Sequence, residues 1–366
     1  MKLTGDIGIA SYGAAIPQRR MKVEEVIRVW PHTRLPEITF GLQVSERAVL
    51  GADEDTTTLA IDAANQALDR LGDSRDRIGA FYLGTCTDPY ASRPTATIIG
   101  EALGLRPSTL TADVQFADKS GTAALQICDA MVRAGLAGRA LAIGADTINR
   151  HTMPGDLEEA YASAAGVAIV VGKTSVIAEI EGSVTYNTEL ADSFRIEGDR
   201  YIQSGSRLGM MKNDIGVFAH CQTAGAALLG ELGAKPVDFR YAVFPQVYGS
   251  MPYHAGRELG FQKEQIEPGV VANRIGNCGA ASTLLGLARV LDHAAPGERI
   301  LVVSYGFGAG SDAFSLRITS EINRLRAVKS PTVDDLIGRG QVIDYATASR
   351  LEFKYSRPAH VSHPNL

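Results

Sequence analysis

The sequence is poor in cysteine, in concentrated charge and in long hydrophobic runs. Its four cysteines, Cys86, Cys128, Cys221 and Cys278, stand far apart with no CxxC pair, which excludes a zinc framework and a disulfide-stapled scaffold. Lys and Arg total 36 against 41 acidic residues, for a net charge of −5. With no basic cluster, a dedicated nucleic-acid binder is excluded. The longest apolar stretches, such as Ala164–Gly172, reach about half the ~20 residues that a spanning helix needs. No basic region, apolar run and small-residue cleavage site open the chain, so a reduced, cytoplasmic protein is expected.

What is present is an ordinary globular composition, 45% hydrophobic over 366 residues, enough to bury a substantial core. Apolar runs alternate with helical patterns. Strands are expected at Ile7–Ala10, Ala80–Leu83, Ala112–Phe116, Ala140–Gly144 and Val167–Val171, and helices at Lys22–Trp30, Thr56–Leu71 and about Ser120–Gly135. The second half repeats the order: a helix at Ile215–Leu232, a strand at Tyr241–Phe244, helices at Pro252–Leu259 and Ala280–His293, and strands at Ile300–Ser304 and Ala313–Ile318. In the first half a strand, a turn and a strand are separated by roughly 36 and 24 residues, and in the second by roughly 34 and 25. Both turns open helices of small residues. The expectation is a duplicated, layered α/β fold with mostly parallel sheets and close-packed central helices. It divides into halves at 1–173 and 174–320 and a charged C-terminal extension at 321–366, ending in the polar stretch Ser356–Leu366.

A parallel sheet offers its ligand site beyond the C-terminal strand ends. Gly84–Arg93, Ala117–Ser120, Pro245–Pro252 and Gly276–Ala281 occupy that position. Phe116–Gly121 has the form of a strand–turn–helix elbow, the place where an acyl transferase carries its nucleophile.

The segments LGTCTDPYASRPT (83–95), VQFADKSGTAALQ (114–126), AIGADT (142–147), VFPQVYGSMP (243–252), IGNCGAAS (275–282) and SYGFGAGSDAF (304–314) resemble the thiolase-like superfamily. The chain is similar to the branch of β-ketoacyl synthase III and hydroxymethylglutaryl-CoA synthase. The resemblance implies the duplicated αβαβα fold. It also implies an acyl-accepting cysteine at the elbow, a histidine after the strand ending at Phe244, an asparagine in the second turn and, in the synthase branch, a glutamate in the first loop. Here those positions hold Asp118, Pro245, Asn277 and Cys86, so only Asn277 matches. A carboxylate replaces a thiolate poorly, because it would have to form an anhydride from a thioester. Proline offers no donor to an oxyanion.

This degenerate pattern resembles the cysteine-lacking, ketoacyl-synthase-like subunits of bacterial phloroglucinol acetyltransferase complexes. The further matching segments include GADTINRHTMPGDL (144–157), GDRYIQSG (198–205) and LEFKYSRP (351–358). The resemblance implies a catalytically silent subunit of a CoA-independent C-acyltransferase, which moves acetyl onto a phenolic ring carbon. It implies a homodimer core, a thiolase-like catalytic partner and a small zinc-ribbon/OB-fold partner holding the zinc, with no cofactor or metal on this chain. The alternative is an independent condensing enzyme with Asp118 or Cys86 as an unusual nucleophile. A third reading is a free-standing acyl-CoA or aromatic-ligand binder.

Individual residues keep two readings. Asp118 is a remodelled acid or a carboxylate stabilising the first helical turn. Cys86 is a relocated nucleophile or a small buried residue, and Cys278 lines the cavity or packs. Cys128 is core, and Cys221 has no partner signal. His254 reaches the cavity, or lies on the surface or caps a helix. His151 faces a partner or sits in a solvated loop. Arg93 and Lys119 are candidates for meeting a phosphate, and the resemblance implies that Gly306–Gly310 shapes the cavity floor.

Overall fold

Continuous apolar strands between amphipathic helices have to be covered on both faces, and the layers follow from that. The computed structural model describes residues 3, 7–31, 36–205 and 215–355. In chain order, β1 (Gly8–Ala15) leads to β2 (Arg19–Lys22), α1 (Val23–Val29) and β3 (Glu46–Val49). Helix α2 (Thr56–Leu71) starts on a reciprocal box: the Asp55 carboxylate accepts from Thr58 N at 2.8 Å, and the Thr58 hydroxyl accepts from Asp55 N at 2.8 Å. Then come β4 (Ile78–Gly84), α3 (Thr95–Ala102), β5 (Leu110–Val114), α4 (Ser120–Arg133), β6 (Arg139–Thr147) and β7 (Ala164–Gly172). The second half holds β8 (Ala178–Leu190), the hairpin β9 (Ser193–Phe194) and β10 (Gln203–Ser204), α5 (Val217–Leu232), β11 (Tyr241–Val243), α6 (Met251–Glu258), α7 (Ser282–Leu291), β12 (Arg299–Val303) and β13 (Gly308–Ile318). The chain continues through α8 (Glu321–Ala327), α9 (Val333–Gly338), β14 (Gln341–Val342) and α10 (Tyr345–Leu351).

Nine strands form one sheet in the order β11-β12-β13-β8-β1-β7-β6-β4-β5. Its two halves, β1-β7-β6-β4-β5 and β8-β13-β12-β11, run in the same relative order. They join where Gly8 and Ile9 pair with Glu179 and Ala178. Alternate side chains of each strand serve different layers. Ala140 and Ala142 of β6 face the central core with Leu125 of α4 and Leu284 of α7, whereas Leu141 and Ile143 face α2. In β12, Ile300 and Val302 join the central core, and Leu301 and Val303 pack with α5. The layered α/β body with central helices is as expected.

The sheet is parallel only toward its ends, in the pairs β11/β12, β4/β5 and β4/β6; its middle is antiparallel. The expectation of mostly parallel sheets therefore holds for the flanks and not for the centre. The link from β12 to β13 is too short for a helical crossover, which a parallel pair would need. Helix α3 and the 13-residue strand β8 are additions to the sequence reading.

The charged extension is folded: β14 pairs with β2, and the segment after α10 inserts Glu352 into the interior. There Glu352 forms a two-pronged ion pair with Arg47, whose Nη2 lies 3.0 Å from Oε2. Pairing is what lets charged residues be buried. The stretch Ser356–Leu366 lies outside the described residues. Among the described residues, no helix is long and apolar enough to cross a membrane.

Candidate active site

The elbow between β5 and α4 is built on a strained residue. Ala117 has φ of 44°, a left-handed conformation that costs a residue with a side chain of order 1 kcal/mol or more. The turn is held by Ser120, whose hydroxyl donates to Ala117 O at 2.7 Å and accepts from Phe116 N at 2.6 Å. This places Asp118 at the head of α4. The second turn is brought beside it by glycine: a Cβ on Gly121 or Gly144 would overlap the Ala280 carbonyl oxygen. Close approach of α4, β6 and the 277–281 turn is what these two glycines allow.

Cys86, Asp118 and Asn277 line one cavity of about 330 Å³, together with Thr87, Ala117, His151, Glu158, Tyr161, Arg195 and Phe307. Three of the four sequence-derived site positions thus converge. Pro245 does not line this cavity, although its near neighbour Val247 does. Gln246 beside it is structural: its Oε1 accepts from Val271 N and Ala272 N, and its Nε2 donates to Gly269 O at 2.8 Å.

Asn277 is fixed in one orientation. Its Oδ1 accepts from Gly279 N at 2.9 Å and Ser282 Oγ at 3.1 Å, so Nδ2 donates to Asp118 Oδ2 at 3.3 Å. Asp118 is 9% exposed. Burial, with the Asp146 carboxylate nearby, pushes its pKa up to about 8. At neutral pH Asp118 is therefore mostly a protonated acid. Position 118 is thus neither a thiolate nor a permanently charged helix cap.

Asp146 organises the first loop. Oδ1 accepts from Thr85 Oγ1, Cys86 N and Thr87 Oγ1, and Oδ2 from Cys86 Sγ at 3.3 Å and Ala280 N at 2.7 Å. Burial raises its pKa, and these hydrogen bonds oppose the rise. The Cys86 thiol is consequently spent as a donor to a carboxylate. Burial and the Asp146 charge push its pKa well above the ordinary thiol value, the opposite of what an attacking thiolate requires. The sequence reading missed Asp146 as a site residue, although its segment AIGADT was already among the matching motifs.

Other candidates resolve singly. Lys119 is buried against Asp312 at 2.9 Å and lies over the Phe116 ring; it is committed to the interior and not to a phosphate. Arg93 is exposed over Tyr90. His254 lies in a separate groove with Tyr253 and Arg257, edge-on to Phe218. Cys128, Cys221 and Cys278 are buried free thiols. Gly308 does reach the cavity: its N–H donates to Asp192 Oδ1 at 2.8 Å, and the same carboxylate accepts from Tyr305. His151, which the sequence left between a partner face and a solvated loop, lines the cavity wall. Among the described residues, no cluster of His, Cys, Asp and Glu could hold a metal ion.

The family profile of the 3-oxoacyl-[acyl-carrier-protein] synthase III C-terminal domain matches residues 229–318. The hydroxymethylglutaryl-CoA synthase of Methanosarcina barkeri is 43% identical over 353 residues, covering 96% of this chain and 99% of that protein. That of Methanocaldococcus jannaschii is 43% identical over 348 residues, covering 95% and 99%. A solved hydroxymethylglutaryl-CoA synthase complexed with CoA superposes with a TM-score of 0.85 at 19% identity, over 98% of this chain and 92% of that one. These likenesses overturn the expectation of a silent subunit of a phenolic C-acetyltransferase and favour the condensing alternative. The chain belongs to the hydroxymethylglutaryl-CoA synthase family and carries the thiolase-like fold that family shares.

Proposed function

We propose that the chain is a condensing enzyme acting on acyl thioesters, in which Asp118 moves the proton and no acyl-enzyme forms. The observation that carries this reading is the buried Asp118 carboxyl, oriented by Asn277, with a pKa of about 8 inside the cavity. A carboxylate whose pKa burial pushes up to about 8 is a far stronger base than an ordinary one, and proton transfer is most effective when the pKa lies near the working pH. Ionised Asp118 takes the α-proton of an acetyl thioester. The resulting carbanion adds to the keto carbon of a second, β-ketoacyl thioester, and Asp118 returns its proton to the alkoxide formed. Water then hydrolyses one thioester and releases its thiol. Neither covalent route suits the residues: Cys86 is a tied thiol, and Asp118 would have to form an anhydride.

The reading includes the homodimer, the thiolase-like and zinc-ribbon/OB-fold partners and a cytoplasmic setting, supported by the sequence resemblance and, for the last, by four free thiols. The test is purified chain, alone and with candidate partners, given acetyl-CoA and acetoacetyl-CoA, with the hydroxymethylglutaryl product followed by mass spectrometry. Product is expected, together with an intact protein mass free of acetyl. Asp118→Asn should lower the rate by about 10²–10⁴-fold, and Cys86→Ala should leave it within a few-fold. An acetyl adduct on Cys86, or no product under any of these conditions, would refute the reading.

A further inference from the structure

We propose that Glu352–Lys354 is a latch for the cavity wall that carries His151, and that it leaves Nε2 of this ring as a hydrogen-bond acceptor for the bound ligand. The inference rests on the cavity being a ligand site, not on the proton chemistry of Asp118.

His151 closes the short helical turn Ile148–His151 that follows β6. The latch grips the residues on either side of it. Asn149 Nδ2 donates to Glu352 Oε1 at 3.0 Å. The Arg150 guanidinium lies 4.7 Å from the centre of the Phe353 ring. Lys354 Nζ donates to the Thr152 carbonyl and, at 3.1 Å, to its hydroxyl. The opposite side is gripped as well: Arg200 donates to the carbonyls of Glu352, at 3.1 Å, and of Phe353. Arg200 in turn meets the ring, because its own carbonyl lies 3.0 Å from His151 Nδ1. The His151 carbonyl accepts from Ile202 N at 2.7 Å. The latch therefore holds both the segment bearing the ring and the residue that orients it.

The tautomer follows from chemistry. A backbone carbonyl only accepts, so Nδ1 carries a hydrogen. Burial, with the Arg195, Lys354 and Arg200 cations around it, lowers the imidazole pKa to about 4, so the ring is neutral. Nε2 then bears a lone pair. It has no hydrogen-bond partner among the described residues, and the ring lines the cavity. The matching ligand group is a hydroxyl or an amide N–H.

The test uses the full chain labelled with ¹⁵N-histidine and free of ligand, with His151→Gln assigning the signal. Wild type should show a single Nδ1–H tautomer. Lys354→Met and Arg200→Ala should each give a tautomer mixture, and Lys354→Arg should restore the single form. A tautomer unchanged in every loss variant that folds would overturn the latch. Acetyl-CoA is the probe for the acceptor: His151→Phe should weaken its binding by about tenfold or more, with His151→Gln retaining most of it. Equal binding by His151→Phe and wild type would overturn the acceptor role. Failure of wild type to bind acetyl-CoA would overturn that role and the condensing reading together, while the tautomer decides the latch on its own.

Discussion

Asp118 is held protonated at a cost that depends on pH. Its folded pKa of about 8 lies above the ordinary 3.8, so the folded state binds the proton more tightly than the unfolded chain does. The resulting stabilisation is complete below the unfolded pKa and is lost as pH rises through about 8. Asp118→Asn should therefore remove part of the fall in stability between pH 5 and pH 9, measured as the difference in denaturation midpoint against wild type; equal slopes would show that Asp118 is ionised throughout. The same acid–base logic predicts that condensation accelerates as pH climbs through about 8 and is weak at pH 6, which an initial-rate profile checks. Cys86 should be slow toward iodoacetamide at pH 7.5, because its thiol already donates to Asp146; modification as fast as that of a small free thiol would contradict this geometry. Replacement of the elbow cysteine, the glutamate and the histidine was legible in the sequence, because each sits in a motif with fixed flanks. The protonation of Asp118 was not. It arises from burial beside Asp146, a residue 28 positions away in the chain.

Among the elements, the elbow carries one of four non-glycine residues with left-handed backbone among the described residues. Ala117 sits at φ 44° without the freedom of glycine. Ala117→Gly should relieve the steric term while loosening the unfolded chain, and a net gain of up to ~1 kcal/mol is expected in chemical denaturation. Gly144→Ala tests the adjoining close approach: its Cβ would overlap the Ala280 oxygen, and a loss of roughly 1–3 kcal/mol or more is expected, with an effect on activity through the displaced Asn277 turn. Helix α2 was fully readable because its periodicity and its cap agree. Strand β8 was overlooked although it alternates, with Ala178, Ile180 and Gly182 buried and Glu179 and Glu181 half-buried between them. A continuous apolar run marks a strand buried on both faces, and a half-covered strand lacks that mark.

At the scale of the whole molecule, the charged residues beyond Thr319 read as an extension outside the repeated pattern, and they complete the interior. A lone charge pattern carries no sign of its partner, and Arg47 and Glu352 are 305 positions apart. Glu352→Ala leaves a guanidinium that is 1% exposed without its counter-charge, and a loss of about 3–5 kcal/mol is expected in denaturant melts. The joint replacement Arg47→Met with Glu352→Leu should recover most of that loss, since two apolar groups of similar bulk replace two desolvated charges. Equal losses for the single and the joint variant would show that bulk, rather than charge, matters there.

That separation also sets a clock for synthesis. Arg47 leaves the ribosome early, and at 5–20 residues per second its counter-ion follows after on the order of tens of seconds. Throughout that interval the nascent N-terminal half cannot bury Arg47 without an orphaned cation. A chain interrupted before Glu352 therefore lacks the counter-charge that completes this part of the interior.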